Sequence, residues 1–75
     1  MTAEEMFKKL EYDRHEDDFC GIKSLFYEKQ NEFNDIIIIK FNGEYVNIHK
    51  NCNSSIWLSA KTIKAIDKQF DEFME

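Results

Sequence analysis

The sequence predicts a single α+β domain over residues 1–75. We expect an antiparallel meander of three to four strands, with one helix before it and one after it, both packed on the same face of the sheet. Three observations predict this arrangement. Apolar residues recur at helical spacing near both ends, an Asn-Gly pair separates two strand-like runs, and 43% hydrophobic residues are enough for a core. A chain of 75 residues has room for one core and two layers.

The first helix is predicted over residues 3–11. Thr2 and Glu5 have the spacing of a capping box, in which each side chain bonds a backbone N–H at the start of the helix. Acids occupy the first turn and Lys8 and Lys9 the last, as the helix dipole favours. The residues that form its apolar stripe are Ala3, Met6, Phe7 and Leu10.

The next segment, residues 12–21, has no periodicity and is crowded with like charges, so we expect a solvated loop. Residues 22–29 are rich in residues that favour strands and predict a first strand. Residues 30–35 are mostly polar and predict a connecting turn.

The clearest local signal is the hairpin around Asn42-Gly43, because this pair suits the two positive-φ positions of a type I′ turn. A two-residue turn at these positions pairs Phe41 with Glu44. It assigns to the core face Ile37, Ile39, Phe41, Val46 and Ile48. The opposite face then receives Ile36, Ile38, Lys40, Tyr45, Asn47 and His49.

The last third of the chain predicts a turn over residues 50–55, a short final strand over residues 56–58, and a second helix capped by Ser59. The apolar stripe of that helix is formed by Ile63, Ile66, Phe70, Phe73 and Met74.

The charge of the chain is negative, with a formal net charge of −5. The acids concentrate in residues 11–18 and 67–75. This balance argues against direct binding of nucleic acid, which requires clustered lysine and arginine. It leaves open an acidic inhibitor of a nucleic-acid-binding protein, whose basic groove such a surface would fit.

The apolar runs are short, and the longest, residues 36–39, is the size of a strand. The first ten residues are amphipathic and acidic, unlike a secretory signal. We therefore expect a cytoplasmic protein that does not bind membranes, with both cysteines kept as thiols.

The two ends, MTAEEMFKKLEY and AIDKQFDEFME, resemble small uncharacterised proteins of phages and prophages of low-GC Gram-positive bacteria. Those proteins open with an AEEMFKKLGY-like helix and close with an AINKQIEEL-like one. Glu11 stands where that family has a helix-ending glycine. The resemblance implies an accessory protein of a mobile element, inside the host cell, that binds a partner rather than catalyses a reaction.

The candidates for chemistry are few. Two imidazoles and two thiols, from His15, Cys20, His49 and Cys52, are a ligand set that zinc accepts, although neither pair, His15-x4-Cys20 or His49-x2-Cys52, is the familiar Cys-x2-Cys knuckle. A small zinc-binding or enzymatic domain built on these four residues is the alternative to a binding module. No catalytic motif accompanies them, so we expect no enzyme and no cofactor.

The functional prediction therefore rests on a surface. If both helices cover one face of the sheet, the other face exposes apolar side chains, which on a soluble protein commonly mark an interface. The residues assigned to this interface are Ile36, Ile38, Tyr45 and Trp57. The expected partner is another protein or a second copy of the chain.

Overall fold

A computed structural model of the protein describes residues 1–19, 21–31, 34–52 and 55–74, without the side chains of residues 19, 22 and 23. One antiparallel sheet has the strand order β1-β2-β3-β4. The elements in chain order are α1 (Ala3–Lys9), β1 (Asp13–Phe19), β2 (Ile22–Gln30), β3 (Ile36–Asn42), β4 (Tyr45–Lys50) and α2 (Ala60–Phe73). The predicted α+β meander with a helix at each end is confirmed.

The core lies between the sheet and the two helices. Strand alternation turns Leu25 and Tyr27 of β2 and Ile39 and Phe41 of β3 to the same face. Phe7 of α1 stacks on the ring of Tyr27, with centroids 3.8 Å apart and an interplanar angle of 16°. The α2 residues that join this cluster are Ala65 and Ile66, with Phe70 packed at its edge. Both helices therefore cover one face of the sheet.

The first helix begins as predicted and ends earlier. Thr2 and Glu5 make both bonds of the capping box. After Lys9 the chain enters a left-handed residue, Glu11, with φ at 68°. The N–H of Glu11 then bonds the carbonyl of Lys8, and the N–H of Tyr12 bonds that of Phe7. This is the Schellman arrangement, which closes the helix two residues before the predicted end.

The predicted loop over residues 12–21 is wrong, because most of it forms β1. This strand pairs with β2 from Asp13 opposite Glu28 to Phe19 opposite Ile22, and Gly21 in the connection has φ at 82°. An edge strand needs only one neighbour, and its charged side chains stay solvated and discourage further pairing. Like charges along the sequence therefore do not prevent a strand at this position.

The predicted register of the hairpin is also wrong, by two residues. The structure pairs Asn42 with Tyr45 and Phe41 with Val46, so the turn residues are Gly43 and Glu44. Gly43 has φ at 60° and Asn42 is not left-handed, as in a turn with glycine at its first central position. This register sets Phe41 beside an apolar partner and leaves Glu44 in the turn. A shift of two residues keeps every side chain on its face, so the predicted core face is confirmed.

The second helix begins at the predicted cap, where the Ser59 side chain accepts from the N–H of Thr62. No strand forms at residues 56–58; β1 supplies the fourth strand instead. The buried face of α2 is formed by Thr62, Ala65, Ile66 and Gln69. It is rotated from the predicted stripe, because Ile63, Phe73 and Met74 are 52%, 47% and 86% exposed.

Candidate functional site

The face of the sheet opposite the helices is the candidate site, and we call it the open face. No described helix or strand lies over it. From the register and strand alternation, its members are Asp13, His15, Asp17, Ser24, Phe26, Glu28, Gln30, Ile36, Ile38, Lys40, Asn42, Tyr45, Asn47 and His49.

The four residues predicted for the interface are placed differently from one another. Ile36, Ile38 and Tyr45 lie on the open face, where Tyr45 is 76% exposed and the two isoleucines are half-buried among their neighbours. Trp57 is 88% exposed but lies in the segment that joins β4 to α2, outside the sheet. The structure thus brings together three of the four.

Phe26 belongs to the open face and was missed by the sequence analysis. It lies in β2 between Leu25 and Tyr27, which both turn to the core, so alternation turns it outward. Strict alternation through residues 25–27 was the sequence signal that could have predicted the outward position of Phe26. Phe26 is half-buried, and on the sheet it lies diagonally beside Ile38 of β3. Ile36 is the next residue of β3 on the same face, two positions before Ile38. These three residues form a continuous band, the apolar band of the open face.

His15 covers one side of Phe26. The two rings stack with centroids 4.7 Å apart and an interplanar angle of 13°. The Nε2 atom of His15 lies 3.8 Å from a carboxylate oxygen of Glu28, a contact that becomes an ion pair when the imidazole is protonated. The ring of His15 therefore packs on the open face, in contact with Phe26 and Glu28 of the neighbouring strand.

The structure does not gather the four possible zinc ligands. His15 lies on β1 and His49 on β4, the two edges of the sheet, which three interstrand spacings separate by about 14 Å. Zinc ligands lie only about 2.0–2.3 Å from the ion, so these two histidines do not share one. Cys20 lies outside the described residues. Within those residues, no three His, Cys, Asp or Glu side chains form a metal-binding group.

Cys52 has a different neighbour. Its thiol lies 3.5 Å from Oδ1 of Asp35, to which it donates. Asp35 also receives a bond from the side chain of Asn31, and Nζ of Lys50 lies 3.6 Å from its other oxygen. The hydrogen bonds from Cys52 and Asn31 hold the pKa of Asp35 below its ordinary value. These contacts tie the connection between β2 and β3 to the end of β4.

The charges of the open face are divided between its two halves. The half formed by β1 and β2 carries the carboxylates Asp13, Asp17 and Glu28. The half formed by β3 and β4 carries Lys40 and no acid, and each half has one histidine, His15 on β1 and His49 on β4. The apolar band crosses the boundary between the halves.

The described helices are all too short or too polar to cross a bilayer. No protein-family model matches the chain, and no curated protein or solved structure matches it at a significant level.

Proposed function

We propose that the protein is an interaction module that associates with a second copy of itself through the open face. The observation that carries this proposal is the one-sided packing of the helices, which leaves the apolar band without a covering element among the described residues. Apolar surface of this kind on a small domain is a common feature of interfaces.

The division of charge favours a second copy as the occupant. A two-fold axis along the strand direction would lay β1 over β4 of the partner and β2 over β3. The acidic half of each open face would then meet the half that carries Lys40. Phe26 and Ile38 lie on the two central strands, so both would lie close to the axis and near the same residues of the second copy. The open face is thus complementary to itself in charge, with its apolar band next to the axis.

The area of the open face sets the expected strength of self-association. Four strands are about 19 Å wide, and a strand of seven residues is about 23 Å long. An interface of this area is smaller than the ~800 Å² per partner of a standard complex, so we expect a weak, concentration-dependent dimer. The resemblance of the terminal helices to phage and prophage proteins leads us to propose an accessory protein of a mobile element.

Sedimentation equilibrium over a wide concentration range tests the proposal. We expect a mass that doubles with concentration for the wild type and stays monomeric for Ile38→Asp, which puts a charge in the apolar band. Ile63→Asp is the matched control, since Ile63 is half-exposed on α2, away from the open face. It should dimerise as the wild type does, and circular dichroism should show that both variants are folded.

A charge exchange tests the orientation of the two copies. Lys40→Glu and Glu28→Lys should each weaken self-association, and an equimolar mixture of the two variants should restore it, because each then meets its opposite charge. A wild type that stays monomeric at millimolar concentration would contradict the proposal, as would a dimer that Ile38→Asp leaves intact. Restoration that fails while Ile38→Asp still abolishes the dimer would contradict this orientation.

A further inference from the structure

A second surface lies on the helical side of the sheet, away from the open face. A groove of about 560 Å³ runs between the end of β1, the turn of the β3–β4 hairpin and the last turn of α2. Its apolar residues are Leu25, Phe41 and Phe73, and two acids of β1, Glu16 and Asp18, lie on the same face of the sheet; Asp17, between them, borders the groove with its side chain alternating to the open face. We call it the acid-rimmed groove. Its volume is within the range of ligand-binding pockets.

The groove lies where the helical cover of the sheet is incomplete, because α1 contributes no residue to its described lining and α2 contributes only Phe73. The seven residues of α1 form a helix about 10 Å long, whereas the nine residues of β2 extend about 30 Å. The other helix ends at Phe73, beside the exposed end of the core. The sheet therefore continues past its cover at the end where β1 finishes.

The floor of the groove is apolar and partly open. Leu25 and Phe41 are 8% and 4% exposed, and the ring of Phe73 contacts that of Phe41 with centroids 5.8 Å apart. Phe73 itself keeps 47% of its surface exposed. A half-exposed aromatic ring on an apolar floor is a feature that a partner can cover with its own apolar side chain.

The only described cation in the lining is already engaged. Arg14 bonds Glu16 through Nε at 3.0 Å and through Nη2 at 2.5 Å, and Nη1 donates to the hydroxyl of Tyr27. Burial opposes the charge of Arg14, but its hydrogen bond to Glu16 and its electrostatic interaction with Tyr27 raise its pKa above the ordinary value. Among the described side chains, no cation pairs with Asp18, which is exposed. Within this part of the chain, the negative charge that the rim offers to a partner is therefore that of Asp18.

From this geometry we propose that the acid-rimmed groove binds a basic amphipathic segment of another protein. Its apolar side chains would cover Phe73 and fill the floor, while its lysines or arginines would face the carboxylates of β1. Negative charge at the rim speeds the approach of such a segment and repels phosphate backbones. The groove and the open face lie on opposite sides of the sheet, so this inference does not depend on self-association.

The probe is a synthetic peptide of about 12 residues, about 18 Å long as a helix, in which leucines recur at helical spacing among lysines. Titration into the ¹⁵N-labelled protein should shift the amides of Glu16, Asp18, Leu25 and Phe73. Amides at the other end of the sheet, such as those of Ile36 and His49, should shift less. A peptide of the same charge with serine in place of leucine is the control for binding by charge alone.

Two variants of β1 distinguish binding in the groove from attraction by the overall negative charge of the protein. Asp18→Lys should weaken binding at least about fivefold, because Asp18 lies on the face of β1 that lines the groove. Asp13→Lys makes the same charge change on the same strand, but on the open face, and should alter binding less than about twofold. Phe73→Ser should weaken binding about tenfold by removing the aromatic anchor.

Several outcomes would overturn the inference. Equal binding of the serine peptide would mean that charge alone is recognised, and equal effects of Asp18→Lys and Asp13→Lys would mean that the groove is not the site. Absence of binding at millimolar peptide would do the same. Self-association that Asp18→Lys abolishes and Ile38→Asp does not would identify a second copy as the occupant. Because Asp18 is exposed, Asp18→Lys should fold normally, and the test remains decisive even if Phe73→Ser does not fold.

Discussion

The hydroxyl of Tyr27 donates to Oε1 of Gln69 at 2.7 Å, across 42 residues of sequence. The side chain of Tyr27 is fully buried, and Gln69 is only 3% exposed. The same hydroxyl accepts from Arg14, so one atom connects β1, β2 and α2. Burial raises the pKa of Tyr27, and the neighbouring charge of Arg14 opposes that rise. The contact explains why a glutamine occupies the buried face of α2.

Removal of the hydroxyl should be costly. Tyr27→Phe is expected to lower the free energy of unfolding by about 1–3 kcal/mol, because it leaves a buried amide oxygen without its donor. Urea denaturation measures the change. Tyr45→Phe removes the same atom from an exposed ring and should alter stability by less than about 0.5 kcal/mol. Equal effects of the two substitutions would show that the bond to Gln69 contributes nothing.

Glu11 has the left-handed conformation that glycine adopts without a steric penalty. Glu11→Gly should therefore raise the free energy of unfolding by about 0.5–1 kcal/mol, since the relief of strain exceeds the entropy that glycine adds to the unfolded chain. Glu11→Ala retains the strain and is the matched control. A glycine variant no more stable than the alanine variant would contradict the strained geometry at φ 68°.

The cap of α1 should weaken in acid. Hydrogen bonds from the backbone and side chain of Thr2 hold the pKa of Glu5 below its ordinary value. A carboxyl group with a lowered pKa in the folded state contributes stability above its unfolded pKa and loses it as the pH falls through the folded value. Stability measured between pH 6 and about pH 3 should fall more steeply for the wild type than for Glu5→Gln. Parallel curves would show that the capping box has no role in acid sensitivity.

The turn of the β3–β4 hairpin distinguishes the two registers. Gly43→Ala should cost about 1–2 kcal/mol, because alanine is strained at φ 60° although nothing lies within 4 Å of its methyl group. Asn42→Thr should cost less than about 0.5 kcal/mol, since Asn42 is a strand residue that a β-branched side chain suits. In the predicted type I′ turn, Asn42 would have a positive φ, and Asn42→Thr would be costly instead. Cross-strand nuclear Overhauser effects should join Phe41 to Val46 and not to Glu44.

Local signals in the sequence predicted the parts of the fold that depend on near neighbours. The caps at Thr2 and Ser59, the strand over residues 22–29 and the core face of the hairpin are examples. Each follows from a backbone group that a nearby side chain satisfies, or from alternation along one strand. The apolar band was predicted in part for the same reason, since Ile36 and Ile38 alternate with core residues.

Other features depend on partners far away in the sequence. β1 is a strand because β2 pairs with it, although its charges favour a loop. The rotation of α2 turns Gln69 inward, where it bonds Tyr27, and leaves Ile63 half-exposed. The same rotation leaves Phe73 half-exposed, and only the fold brings it beside the acids of β1. Each of these outcomes depends on contacts between residues that are far apart in the sequence, so a pattern of neighbouring residues does not predict it.

The sequence by itself determined the α+β class, the helix starts, and which hairpin side chains face the core, because capping and alternation are properties of neighbouring residues. The tertiary structure decided the fourth strand, the hairpin register, the separation of His15 from His49, and the placement of Phe73 and Asp18 along one groove. Those outcomes arise because burial and strand pairing are satisfied by the molecule as a whole, so a segment adopts the conformation that its distant neighbours stabilise.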